Sequence, residues 1–139
     1  MNNEYVMVNG HLEFSLTRND DTLSAKLRLQ NGGYSSYDIP LAVLEIGDRM
    51  QDRVDRVEKY KVMQIEGGGT ELHLTLRSVA HGITVGLWLT LHETGELSIV
   101  IPPAEIEEQN GGLYKLYAVN VLPGLMRVES TGKILLPVN

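Results

Sequence analysis

The residues able to do chemistry are few. Four histidines stand at 11, 73, 81 and 92, with no H-x-x-x-H or similar spacing to hold a metal. The alternation of the strands turns His73 away from the row Leu72, Leu74, Leu76 and sets His92 at a hairpin end, the places of surface or hydrogen-bonded histidines. Glu93 and Glu96 flank a turn, and Glu105, Glu107 and Glu108 follow Pro102-Pro103. Paired carboxylates can act as acid and nucleophile or base on a glycosidic bond, but in an acidic chain clustered glutamates are mostly solvated. No Asp-rich loop with calcium spacing accompanies them. The triplet in Glu66–Thr70, EGGGT, lacks the Lys-Ser/Thr and the helix of a phosphate loop. There is no Gly-x-Ser-x-Gly elbow, and with no cysteine a Cys-His pair is impossible. The chain is therefore expected to carry no catalytic constellation, no cofactor and no metal. A small glycosidase or mutarotase using Glu93, Glu96 or the histidines is the weakest of the readings.

Aromatic residues offer a different chemistry, stacking. Trp88 shares a strand face with Thr84, Gly86, Thr90 and His92, opposite a row of leucines. An open face of that kind is a sugar-stacking platform, whereas a face covered by a second sheet makes Trp88 core; the expectation is burial. Tyr34 and Tyr37, after Gly32-Gly33, form a second candidate platform. Trp88, Tyr34 and Tyr37 are the candidate glycan-binding residues.

The elements that must position them are strands. Over Gly82–Pro103, Ile83, Val85, Leu87, Leu89 and Leu91 alternate with Thr84, Gly86, Trp88, Thr90 and His92, and Leu97, Ile99 and Ile101 alternate with Ser98 and Val100. A one-residue slip would turn an apolar row outward, so Leu91 is predicted opposite Leu97, Leu89 opposite Ile99 and Leu87 opposite Ile101. Glu93-Thr94-Gly95 then closes a three-residue loop with His92 facing Glu96. Glu4–Val8, ended by Asn9-Gly10, and two runs, His11–Arg18 and Thr22–Gln30, give a short strand and a second hairpin. Tyr34–Ile46 is rich in β-formers, with Pro40 at an edge or strand start. Gly47–Lys61 lacks period two; Met50, Val54 and Val57 at helical spacing allow a short helix near 48–57 or a solvated crossover. Strand returns over about 57–65, Glu66–Thr70 reads as a flexible loop, and a bulge or longer loop is needed between Arg77 and Gly82 to bring the leucine rows into phase. Ala104–Gln109 is too short for a secure helix. Leu113–Leu122 alternates weakly, like a strand buried on both faces, and Ile134–Val138 is a last short strand.

About ten strands joined by Gly/Asn turns imply an all-β, antiparallel sandwich. At 139 residues the chain is one domain with room for a core, and 42% hydrophobic against 22% charged residues argues against disorder. A net charge of −6 argues against a nucleic-acid partner and against docking on anionic lipid. The start MNNEYVMV lacks the basic and apolar regions of a signal peptide, and no apolar run approaches the roughly 20 residues that cross a bilayer. The expectation is a soluble module with no membrane partner.

From Gly82 onward the order of features resembles a known family. Ile101-Pro102, Ile106-Glu107-Glu108, Val121-Leu122-Pro123-Gly124 and Gly132 with Leu136-Pro137 are similar to the N-terminal β-domain of certain bacterial glycoside hydrolases. In these, a galactose-mutarotase-like supersandwich precedes a (β/α)₈-type catalytic domain. The resemblance covers residues 82–138 and rests on apolar pattern and prolines. It implies a supersandwich and an accessory role; the family's catalytic carboxylates would lie downstream, so none is carried onto this chain. Residues 1–139 are then expected to be a single β-sandwich domain, an excised or N-terminal part of a larger protein. As such it would be a non-catalytic module of a carbohydrate-active protein, with a carbohydrate and a downstream catalytic domain as partners. The alternative is a self-contained interaction domain that forms a homodimer through sheet edges.

Overall fold

The computed structural model describes residues 4–10, 12–19, 22–29, 39–93, 97–121, 126–129 and 134–135. Fourteen strands are present among them: β1 (Glu4–Asn9), β2 (Leu12–Arg18), β3 (Leu23–Leu29), β4 (Ile39–Pro40), β5 (Ala42–Asp48), β6 (Arg53–Val57), β7 (Lys61–Gly68), β8 (Glu71–Ser78), β9 (Ile83–Leu91), β10 (Leu97–Val100), β11 (Ile106–Glu108), β12 (Tyr114–Val121), β13 (Met126–Glu129) and β14 (Ile134–Leu135). β4, β11 and β14 are two or three residues long; the other eleven carry the sheets. The fold is all-β and sandwich-like. Among the described residues the one helical segment is a 3₁₀ turn, Pro103–Glu105, started by a proline whose fixed φ suits a first helical position.

Three antiparallel sheets form, in the orders β1-β2-β3-β4, β10-β9-β8-β7 and β14-β13-β12-β5-β6, with β11 also pairing β9. The second sheet holds the predicted hairpin in its predicted register: Leu97 opposes Leu91 and Ile99 opposes Leu89. β10 ends at Val100, so Ile101 lies beyond the ladder, though fully buried. The loop tip, residues 94–96, falls outside the described residues, as does most of 122–139. Between β8 and β9 the chain takes the longer loop the leucine phasing required. Ser78 opposes Ile83 across residues 79–82, which sets Leu72, Leu74 and Leu76 against Leu89, Leu87 and Val85.

The apolar rows of all three sheets meet in one core cluster that includes Phe14, Leu16, Leu44, Ile46, Leu74, Leu87, Ile99 and Val119. Polar ties pin the sheets together. Arg18 Nη2 donates to the Val62 carbonyl at 2.8 Å, Asn9 Nδ2 to the Leu91 carbonyl at 2.8 Å and the Tyr60 hydroxyl to the Ala42 carbonyl at 2.8 Å. A buried donor or acceptor left unpaired costs more than the bond itself contributes, so these ties set sheet position as well as adding stability.

Several expectations change. Residues 48–57 hold no helix: β5 and β6 form a hairpin around a turn at 49–52. Asp48 Oδ1 accepts from the amides of Met50 (3.0 Å) and Gln51 (3.1 Å), and Asp52 takes φ 48°, so local side-chain bonding displaces helix. Strand does not run through 57–65, because residues 58–60 interrupt it and tuck Tyr60 inward at 4% exposure. The glycine run 66–70 is not a free loop. β7 continues to Gly68, Gly69 bridges Met7 in parallel, and the Val8 amide donates to the Gly69 carbonyl at 2.9 Å. β12 is buried on both faces only at Ala118 and Val119: a bulge between Leu116 and Ala118 shifts its alternation, and Lys115 and Tyr117 before it are exposed on one face.

Candidate functional site

The outer face of the second sheet is built by the alternation that buries the leucines. Glu71, His73, Thr75 and Arg77 of β8 and Thr84, Gly86, Trp88 and Thr90 of β9 point away from the core. The register lines up Glu66, His73, Trp88 and Val100 across four strands. Trp88 is 38% exposed, correcting the expected burial: no second sheet covers this face among the described residues, because the core lies wholly on the leucine side. Its indole stacks on the His73 ring, centroids 4.5 Å apart and planes 10° from parallel. Cross-strand neighbours on one face come this close, and aromatic pairs of this kind add about 0.5–1.5 kcal/mol beyond buried area.

Carboxylates surround the pair. Glu71 Oε1 lies 2.8 Å from His73 Nε2, which fixes the ring's orientation, and within neighbouring β7 Gln64 Nε2 donates to Glu66. Glu105 arrives from the 3₁₀ turn, held by its amide's 2.8 Å bond to the Pro102 carbonyl. It lies over Gly86, where a Cβ would stand 2.8 Å from Glu105 Cβ and 3.2 Å from its Oε2. Gly86 is therefore the position that admits this side chain beside Trp88. The result is an exposed indole–imidazole pair ringed by Glu66, Glu71 and Glu105, with hydroxyls at Thr75, Thr90 and Ser98. Apolar stacking surface beside acceptors and hydroxyls is the chemistry that binds a polyhydroxylated ring.

The other sequence candidates fall elsewhere. Tyr34, Tyr37, His11 and Glu96 lie outside the described residues. Glu93 is exposed at a hairpin end, where His92 Nε2 and Ser98 Oγ are 2.6 Å apart. Glu108 Oε2 accepts from the Leu116 amide at 3.0 Å, a structural use. Among the described residues no group of three or more His, Asp or Glu is placed to hold a metal, and no helix is long and apolar enough to cross a membrane.

One constellation was not read from the sequence. His81 Nδ1 lies 2.8 Å from Ser78 Oγ and its Nε2 lies 3.1 Å from Asp55 Oδ2, while the ring meets Tyr114 edge-on at 4.8 Å. The hydrogen bond from His81, more than the Arg53 guanidinium at 2.9 Å, holds the Asp55 carboxyl below its usual range. Ser78-x-x-His81 at the foot of a four-residue loop was the available signal; Asp55 was hidden in a charge run 26 residues away. Ser78 is 4% exposed, and Asn110 Nδ2 donates to the His81 carbonyl at 3.1 Å, so the Ser–His–Asp line pins the β8–β9 turn onto β6 and the 109–113 segment.

Fold and face together define an all-β, sandwich-like module with an exposed aromatic pair on one sheet. No protein-family model, curated protein or solved structure matches the chain.

Proposed function

We propose that this chain is a non-catalytic β-sandwich module of a carbohydrate-active protein, an accessory or scaffold to a catalytic domain, and that its second sheet contacts glycan through Trp88. The observation that carries the reading is the exposed Trp88–His73 stack with Glu66, Glu71 and Glu105 around it. The resemblance of residues 82–138 to the supersandwich domain of bacterial glycoside hydrolases supports the same role. The carboxylates serve as acceptors for sugar hydroxyls, and the indole supplies the apolar contact.

A screen of the chain on a glycan array, beside Trp88→Ala, tests this. Burying a side chain of this kind is worth about 1.5–3 kcal/mol, so the variant should bind at least about ten-fold more weakly. Absence of binding to every glycan would leave only the scaffold role. The homodimer alternative draws on free edges such as β6. That strand carries Arg53, Asp55 and Arg56 in five residues, however, and charged short edges resist edge-to-edge pairing. The glycan reading is preferred for that reason.

A further inference from the structure

Four of the chain's twelve Lys and Arg residues line one cleft, although the chain as a whole is at −6. The cleft is an open one of about 650 Å³ between the β6–β7 connection and the β8–β9 turn. Arg56, Lys59, Lys61 and Arg77 line it, with Ser78 and His81, and no carboxylate does. Its acidic neighbours are engaged or directed elsewhere. Asp55 is bonded to Arg53 and His81, and Glu45, which opposes Arg56 across the strands, accepts from Asn120 at 2.7 Å. Glu58 lies exposed in the adjoining segment without lining the cleft. Among the described residues none of the four cations is in an ion pair; Arg77 Nη1 donates to Thr84 Oγ1 at 2.8 Å and keeps its remaining donors.

Gathered cations repel one another and focus the potential of a cleft on an anion. Two guanidinium forks and two ammonium groups suit a group with several acceptor oxygens and more than one negative charge, while Ser78 and His81, bonded to each other and to Asp55, form the wall behind them. We propose that this cleft is a second binding site that takes a tetrahedral oxyanion, the phosphate or sulfate group of a small ligand. It is reached from the far end of β8: Arg77 lies four residues from His73 along the strand, about 13 Å, so the two sites fail or stand independently.

The test is an amide NMR titration of the full chain with inorganic phosphate and with sulfate, against chloride at matched ionic strength. The variants Arg56→Ala and Lys59→Ala remove exposed side chains, so folding is retained. Saturable shifts at Ser78, Val79, Ala80 and His81 are expected with phosphate, sulfate or both, which assigns the source. Each variant should weaken them by roughly ten-fold, the loss typical of one charge-assisted hydrogen bond, and Trp88→Ala should leave them unchanged. Equal shifts with chloride, saturation unaffected by both variants, or no saturable response to either phosphate or sulfate would each overturn the assignment.

Discussion

Replacing Tyr60 by Phe should make the protein less stable at neutral pH and more stable in strong alkali. The side chain is 4% exposed and its hydroxyl donates to the Ala42 carbonyl at 2.8 Å, tying the lead into β7 to the start of β5. Burial pushes this hydroxyl from 10.0 up to about 12. A group whose pKa is raised by folding contributes fully below its unfolded value and loses that contribution as pH climbs through the folded one. The window is thus pH 10 to 12, and two units at 1.36 kcal/mol each remove about 3 kcal/mol. At pH 7 the variant loses one hydrogen bond, about 1 kcal/mol. The two stability curves should then cross at about pH 10.7, where roughly three-quarters of a unit of linkage has cancelled the bond. Urea unfolding followed by circular dichroism at pH 7, 9, 10.5 and 11.5 measures both; lysines and the other tyrosines titrate in each chain and cancel in the difference. Curves that stay parallel to pH 11.5 would refute the reasoning.

Three further outcomes follow from named contacts. Gly82 and Gly69 share a left-handed backbone, φ 62° and 66°, but a Cβ at 82 would meet the Gln109 carbonyl oxygen at 2.5 Å while one at 69 meets nothing within 4 Å. Gly69→Ala should therefore cost about 1–2 kcal/mol of strain, and Gly82→Ala more by at least 1 kcal/mol, in denaturant midpoints. Asp55 is held below 3.8 in the folded chain by its bond to His81. Its contribution is complete above that value and lost as pH falls beneath it, so Asp55→Asn should flatten the acid limb of stability below pH 4. Leu87→Ala, at a fully buried position, should cost about 2–5 kcal/mol in the same assay.

The β8–β9–β10 part of the second sheet was legible because its strands alternate without interruption: Ile83 to Leu91 and Leu97 to Ile99 permit one register, and the loop at 79–82 was demanded by phase, whereas β7, with a register shift between Val62 and Gln64, was not. Legibility failed where a local bond or a single extra residue changes the period. Asp48 capping its own turn converts a helical spacing at 50, 54 and 57 into a hairpin, and the bulge near Tyr117 blurs β12. The site was half legible. The face of Trp88 follows from period two, but its exposure depends on where the other sheets sit, which no local pattern encodes. Glu105 over Gly86 and Asp55 against His81 are meetings of distant segments, invisible to spacing.

Trp88 is the chain's single tryptophan, so its fluorescence reports on the proposed contact surface alone. Titration with soluble oligosaccharides chosen from the glycan array should give a saturable blue shift as sugar displaces water from the indole, weakened by His73→Ala. An emission spectrum unmoved by a glycan that the array shows to be bound would contradict the placement of the contact at Trp88.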